Sequence, residues 1–183
     1  MENTTGLPGH VLARPVPTAD DVSLYRGYSA DIAAGVAVIS TLLRGRDYAA
    51  TVSGFLSVSY DPPTMLVSLY AESRIAEAVT ASGTWALSVL GSRHRSTADW
   101  LASPGTPVEG LLAQIPFRRG AESGAAVIDG SLAYFELRST AVHAAATHIL
   151  VVGEVLSMGT LMAGVEGMDP LVHFGSAYHR LQN

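Results

Sequence analysis

A mainly β barrel with a few short helices is the fold class this sequence predicts, and three observations lead to it. About seven β-branched and apolar runs follow one another through short turns, many in antiparallel sequence. Only two or three stretches carry helical periodicity, and all are short. The rival architecture, a doubly wound parallel sheet, lacks its glycine fingerprint, since no G-x-G-x-x-G occurs.

Residues 1 to about 20 hold Pro8, Pro15 and Pro17 among polar residues without periodicity, which predicts an arm or a strap lying on a partner. One domain, residues 21–183, follows. A short helix is expected from Ser23 to Ala33, ending before Gly35. Gly35 to Leu43 reads as a buried strand, turned by Arg44-Gly45-Arg46 into a second strand from Tyr48 to Ser59. Asp61-Pro62-Pro63 is expected to block further ladder pairing, because proline has no N–H to give. Thr64 to Tyr70 is a third strand. Ser73 to Ser82 reads as a helix, with Ser73 as cap, Ile75, Ala78 and Val79 as its apolar stripe, and Gly83 at the left-handed C′ position. Thr84 to Leu90 is a strand. Ser96-Thr-Ala-Asp99 has the form of a capping box and predicts a short helix closed by Pro104-Gly105. Residues 104–125 read as loop, with one helical turn near Val108 to Ala113. Two long strands are expected, Ser131 to His143 and Thr147 to Met158. A loop from Gly159 to Asp169 then precedes a final short strand, Leu171 to Phe174.

Composition sets the bounds. A chain of 183 residues fits one domain, and 48% apolar residues supply more than a core requires, which points to a buried subunit interface. The longest apolar runs fall far short of the ~20 residues that span a bilayer. The opening MENTTGLPGH has neither the basic nor the apolar region of a secretory signal. A net charge of −5 argues against a nucleic-acid partner. Every basic residue is arginine, and there is no cysteine, which excludes disulfides, a thiol nucleophile and thiolate metal sites and suits a reducing cytoplasm.

Neither G-x-x-x-x-G-K-[ST] nor G-x-S-x-G occurs. Of the histidines His10, His94, His143, His148, His173 and His179, none pairs with carboxylates at a recognised metal spacing. His143 and His148 straddle a turn, so a shared metal and ordinary surface histidines both fit. Arg93-His94-Arg95 reads as a solvated helix start or as an anion site. Along Thr51 to Ser59, alternation places Thr51, Ser53, Phe55, Ser57 and Ser59 on one face and Val52, Leu56 and Val58 on the other. That hydroxyl-bearing face suits a heterocycle rich in acceptors, or an ordinary half-exposed strand. Gly54 marks a bulge or a close backbone approach. Ser73 and Arg74 stand where a strand hands over to a helix N-terminus, which provides free N–H groups and the positive end of the dipole for a phosphate. The plain alternative is a helix cap beside a solvated arginine.

Four segments resemble the flavin reductase family in that family's order: AAGVAVIST, ATVSGFLSVSYDPPTMLVSL, THILVVGEV and PLVHFGSAYHRL. The resemblance covers about nine-tenths of the chain. It implies an FMN-binding split β-barrel, dimeric, with flavin at the subunit interface. It also implies an NAD(P)H:flavin oxidoreductase that reduces FMN or FAD with NADH or NADPH and supplies a partner flavin-dependent monooxygenase. By position it implies that Thr51, Val52, Ser53, Gly54, Ser57, Val58 and Ser59 run beside the flavin. Ser68, Ser73 and Arg74 would then approach the phosphate, and His148 would lie near the nicotinamide or flavin ring as the catalytic residue. Phe174 and Tyr178 are further candidates for the nicotinamide site. Two other roles fit the same resemblance: a tightly held flavin acting directly on another substrate, and a flavin- or haem-binding module without turnover. The chain departs from the family pattern at Gly54, where serine or asparagine is common, and at Ala34, usually threonine. It departs again at Ala146-Thr147, which replaces a Gly-Asp before His148.

Overall fold

The computed structural model describes residues 16–103, 105, 109–161 and 169–181. The expected N-terminal arm and the loop after Gly159 therefore lie largely outside the described residues. The first helix, α1 (Ala19–Ala30), starts four residues earlier than its sequence suggests. Thr18 and Asp21 form a reciprocal capping box, the Thr18 Oγ1 accepting from the Asp21 N–H and the Asp21 carboxylate accepting from the Thr18 N–H at 2.7 Å. With that box in place the helix no longer needs Ser23 as its start.

The expected first strand is broken into β1 (Ala34–Gly35) and β2 (Ala37–Leu43). Val36 between them is fully buried, donates its N–H to Leu171 and accepts from the N–H of Leu90. The expected second strand is broken too, into β3 (Arg46–Val52) and β4 (Phe55–Tyr60). After them come β5 (Pro63–Tyr70), α2 (Arg74–Ser82), β6 (Thr84–Val89), a 3-10 turn over Ser92–His94 and α3 (Arg95–Ala102). The chain continues through β7 (Phe117–Arg119), β8 (Ala126–Ile128), β9 (Ala133–Ala145) and β10 (His148–Gly159), then β11 (Leu171–Phe174) and β12 (Ala177–Arg180). Three short strands, β7, β8 and β12, escape a reading based on alternation because three or four residues hold too little of it.

Seven strands form one sheet in the order β3-β2-β6-β9-β10-β5-β4. Laid flat, six spacings of ~4.8 Å would hold its edges roughly 29 Å apart. Yet β3 and β4, the two edges, are joined by Ser53–Gly54 alone, which lets Val52 and Phe55 stand at most about 11 Å apart. The sheet must therefore roll up; at its β4 edge Gly54 O accepts from Ser68 N at 2.7 Å, which extends the β4–β5 ladder one step beyond the Phe55–Val67 pair. The cylinder stays open between β3 and β4, which is the split of a split barrel.

Its interior holds Ile39, Met65, Val67, Trp85, Leu87, Leu137 and Val151 among others, and α2 closes one end with Ile75, Ala76 and Val79. Trp85 is fully buried and its Nε1 donates to Ser139 Oγ at 3.1 Å. Gly153 faces it so closely that a Cβ there would lie 2.8 Å from the indole, so the strand can pass only as glycine. A second core, on the outer face of β2, packs Val36, Val38 and Leu90 against α3, Leu111, Leu112, Ile128 and Leu171.

Two smaller expectations are corrected. Pro62-Pro63 does not end the ladder: Asp61-Pro62, joined by a cis bond, is a two-residue turn, and Tyr60 pairs with Pro63 directly across it. Nor does Ser96 cap α3. The helix begins at Arg95, after the 3-10 turn, and His94 is its N-terminal neighbour. His94 is buried rather than solvated: its Nδ1 accepts from the Gly91 N–H and its Nε2 lies 3.1 Å from Asp129 O. Burial lowers its pKa, and Arg93 beside it lowers it further. Among the described residues, no helix is long and apolar enough to cross a membrane.

Candidate functional site

One corner of the barrel holds five of the residues singled out in the sequence, Gly54, Ser68, Ser73, Arg74 and His148. At the end of β5, register places Tyr70 opposite His148 and Ser68 opposite Leu150. Side chains two apart share a face, so Ser68 and Tyr70 stand together on the outside of the barrel. Their neighbours Met65, Val67 and Leu69 point inward. Gly54 stands opposite Ser68 just before β4, where a Cβ would lie 3.3 Å from Ser68 Cβ, so a larger residue there would press on Ser68. Beyond Tyr70 the chain turns through Ala71 and Glu72 into α2, and the N–H of Ala71 donates to Thr147 O at 3.0 Å. Thr147–His148 and the N-terminus of α2 are thereby tied side by side.

The N-terminus of α2 lies at this corner, flanked by Glu72 and Arg74. Ser73 is the cap, accepting from the Ala76 N–H at 3.2 Å while its own hydroxyl donates to Tyr70 O at 2.6 Å. The Ser73 hydroxyl hydrogen is thus already committed. The first-turn N–H groups and the exposed Arg74 side chain lie at this end of the helix. They open onto a cleft of about 380 Å³, walled by Tyr48, Ala49 and Ala50 of β3, Tyr70, and Leu101 of α3. Glu72 sits at its rim. The Tyr70 hydroxyl donates to the Glu72 carboxylate at 2.9 Å, which holds the phenol above its usual pKa.

His148 is exposed at the start of β10. Its ring meets Tyr70 edge-on, 5.8 Å between centroids, and its Nδ1 lies 3.0 Å from Thr147 Oγ1. The two-residue turn before it carries Ala146 at φ 53°, where glycine would be at ease. His143 lies on β9 opposite Leu150, and among the described residues no group of three His, Cys, Asp or Glu side chains is arranged to hold a metal.

The remaining candidates are dispersed. The single hydroxyl-bearing face expected from Thr51 to Ser59 does not exist, because Ser53–Gly54 resets the alternation. Thr51 points outward and gives its hydroxyl to Ala98 O of α3 at 2.8 Å, whereas Val52 and Phe55 both pack on the inner core. A bulge between Ser57 and Ser59 shifts the register again. Ser59 lies opposite Thr64, six residues or roughly 20 Å along β5 from Tyr70. Phe174 and Tyr178 belong to another sheet, β1-β11-β12. There Tyr178 packs against the second core, and burial, then Asp99, raises its pKa.

Tyr70, Glu72, Thr147 and Tyr48 are the side chains of this corner that sequence reasoning missed. Tyr70 and Glu72 had a signal, since they immediately precede the Ser73 cap. Thr147 had only its adjacency to His148.

Residues 29–182 match the family described as the flavin reductase like domain. SmoA of Agrobacterium fabrum, an FMN reductase (NADH), is 30% identical over 165 residues, covering 90% of this chain and 89% of SmoA. A probable flavin reductase of Rhizobium meliloti is 30% identical over 137 residues, 74% of this chain; the match spans only 42% of that longer protein. Among solved structures, the styrene monooxygenase flavin reductase SMOB of Pseudomonas putida S12 superposes with a TM-score of 0.74 at 28% identity. That match covers 87% of this chain and 97% of SMOB.

Proposed function

The chain belongs to the flavin reductase like family, and we propose that it acts there as an NAD(P)H-dependent reductase of FMN or FAD that hands reduced flavin to a partner monooxygenase. What supports this reading is the chain of neighbours Gly54–Ser68, Tyr70–His148 and Ala71–Thr147 that leads up to the Ser73–Arg74 helix start. The flavin and the nicotinamide supply the hydride chemistry, so the protein's part is binding, orientation and exclusion of water. Arg74 and the first turn of α2 hold a phosphate by charge-assisted hydrogen bonds. The Gly54–Ser68 contact brings bare backbone to the outer face, where a flat ring can lie close. His148, braced by Thr147 and Tyr70, orients the nicotinamide; Phe174 and Tyr178 are the next candidates for that role.

The working unit of this reading is a homodimer. Register aligns Leu56, Leu66, Val152 and Ala141 in one apolar row across four outer strands. Leu56 and the nearby Val58 are 52% and 51% exposed in the single chain. Such a row beside the corner suits a second copy that completes the flavin site. We place the protein in the cytoplasm, where nicotinamide nucleotides are available and a cysteine-free chain forgoes nothing.

Steady-state oxidation of NADH and NADPH, measured with and without added FMN or FAD, tests the proposal. The expected result is turnover that depends on added flavin. A protein that carries a bound chromophore but shows no nicotinamide oxidation contradicts it.

A further inference from the structure

Resting on the nicotinamide role read above for His148, we propose that Tyr70, held by Glu72, is a positioning residue that fixes the His148 ring for hydride delivery. His148 opens β10 as an exposed side chain, and an exposed imidazole ordinarily turns between rotamers. Here it is restrained on two sides. Thr147 Oγ1 lies 3.0 Å from its Nδ1, and the Tyr70 ring stands edge-on to it, 5.8 Å between centroids at 69°. Among the described residues that leaves Nε2 as the ring nitrogen with no partner inside the protein. Thr147 is a neutral partner, and a hydrogen bond between neutral groups holds a ring less firmly than one to a carboxylate. More of the orientation therefore falls to Tyr70.

Tyr70 can restrain a neighbour only if it is itself held. It is 49% exposed, yet both of its ends are anchored. Its carbonyl accepts from the Ser73 N–H at 3.0 Å and from the Ser73 hydroxyl at 2.6 Å, and its own hydroxyl donates to the Glu72 carboxylate at 2.9 Å. Water can satisfy a phenol at the surface, so solvation does not require the Glu72 bond. What the bond does is take away the swing of the ring. The next residue, Ala71, donates its N–H to Thr147 O at 3.0 Å. Residues 70–73 thus hold both restraints on His148 and also supply the cap of α2.

A restraint of this kind bears on rate more than on binding. Hydride transfer needs the two reacting carbons near contact, and a misplacement of ~1 Å can cost on the order of 100-fold. Tyr70 and Glu72 reach the reacting atoms only through His148. That dependence separates them from residues that merely stabilise the fold, because their effect on the rate vanishes when His148 is removed.

The test follows anaerobic reduction of saturating flavin by NADH and NADPH in the full-length protein, with flavin affinity read on the same preparations. Tyr70→Leu, Tyr70→Phe, Glu72→Gln and His148→Ala are compared singly, and each of the first three also in the His148→Ala background. The expected result is that Tyr70→Leu slows reduction at least ~5-fold with flavin affinity within about twofold, and changes the rate less than about twofold once His148 is alanine. Tyr70→Phe and Glu72→Gln remove the same hydrogen bond and keep the ring, so their losses should be smaller, equal to each other, and no greater when combined. These two variants carry the same comparison if Tyr70→Leu does not fold. An undiminished loss in the His148→Ala background overturns the inference, as does a matching loss of flavin affinity, which would set Tyr70 against the flavin. Wild-type rates in both Tyr70→Phe and Glu72→Gln take Glu72 out of the arrangement and overturn it as well. Slowed reduction in His148→Ala beside wild-type rates in Tyr70→Leu overturns this inference alone. Wild-type rates in His148→Ala overturn the reading of His148, and this inference with it.

Discussion

Two tyrosine–histidine pairs among the described residues have nearly the same geometry and different neighbours. Tyr70 and His148 face each other across β5 and β10 at 5.8 Å and 69°; His173 and Tyr178 do so across β11 and β12 at 5.8 Å and 71°. The first pair adjoins a helix N-terminus, an exposed arginine and a cleft. The second leans on α3, its tyrosine half-buried beside Asp99. An aromatic pair is therefore no site in itself. Both pairs border a cleft, about 380 Å³ at the first and about 310 Å³, lined by Arg95 and Arg180, at the second; what differs is the capped start of α2 beside the first and the Asp99 carboxylate beside Tyr178 of the second.

The largest effect that can break this comparison is expected at Arg74. A hydrogen bond to a charged group contributes about 1.5–3 kcal/mol, so Arg74→Ala should lower FMN affinity roughly ten- to a hundred-fold. Riboflavin, which lacks the phosphate, should be spared, and equilibrium dialysis of the two ligands reads the difference. Equal losses would remove the anion from this corner.

On the α3 side the expected effects concern stability. His94 is neutral in the folded protein, since its Nδ1 accepts from Gly91 N–H, and its pKa is lowered mainly by burial. The unfolded chain takes up that proton near pH ~6.5 and the folded one only at lower pH. Stability is thus fully present above that value and falls as pH drops toward the folded pKa, by at most about 1.4 kcal/mol per pH unit from this group. Denaturant melts between neutral and mildly acidic pH should show a shallower acid slope for His94→Gln than for wild type.

A smaller change separates the turn before His148 from the residue itself. An Ala in the left-handed region costs ~1–2 kcal/mol, and glycine loses about 0.5–1 kcal/mol of that relief to chain entropy. Ala146→Gly should therefore stabilise the protein by about 0.5 kcal/mol in urea titrations. The smallest effect belongs to the terminal hairpin. Phe174→Ala should leave flavin affinity within about twofold, as surface substitutions away from a site usually do. A tenfold loss on dialysis would make the two tyrosine–histidine regions parts of one site.

Much of the fold was legible because long elements repeat their pattern. Helix α2 has its cap, stripe and left-handed glycine where the sequence put them, and β9 and β10 run long enough to declare themselves. The break at Ser53–Gly54 was not legible in detail. Alternation read through it assigns Thr51 and Phe55 to one face, and only the closure of the sheet reverses Phe55. Glycine at 54 signalled the close approach correctly but not its consequence for the neighbours. The candidate site shows the same division. Ser73, Arg74 and His148 follow from local signals and family resemblance, and Tyr70 and Glu72 could have been found beside the Ser73 cap, whereas Tyr48 joins them only through the rolling of β3 toward α2, which no local window contains.

The central claim is that the Tyr70–His148 corner is where flavin meets nicotinamide. Anaerobic stopped-flow reduction of saturating flavin by NADH and by NADPH, in wild type and His148→Ala, tests it most directly when flavin affinity is measured on the same preparations. The expected result is unchanged flavin affinity with reduction slowed at least ~10-fold, about 1.4 kcal/mol of transition-state stabilisation. Wild-type reduction rates in His148→Ala would contradict the claim and move the nicotinamide site away from this corner.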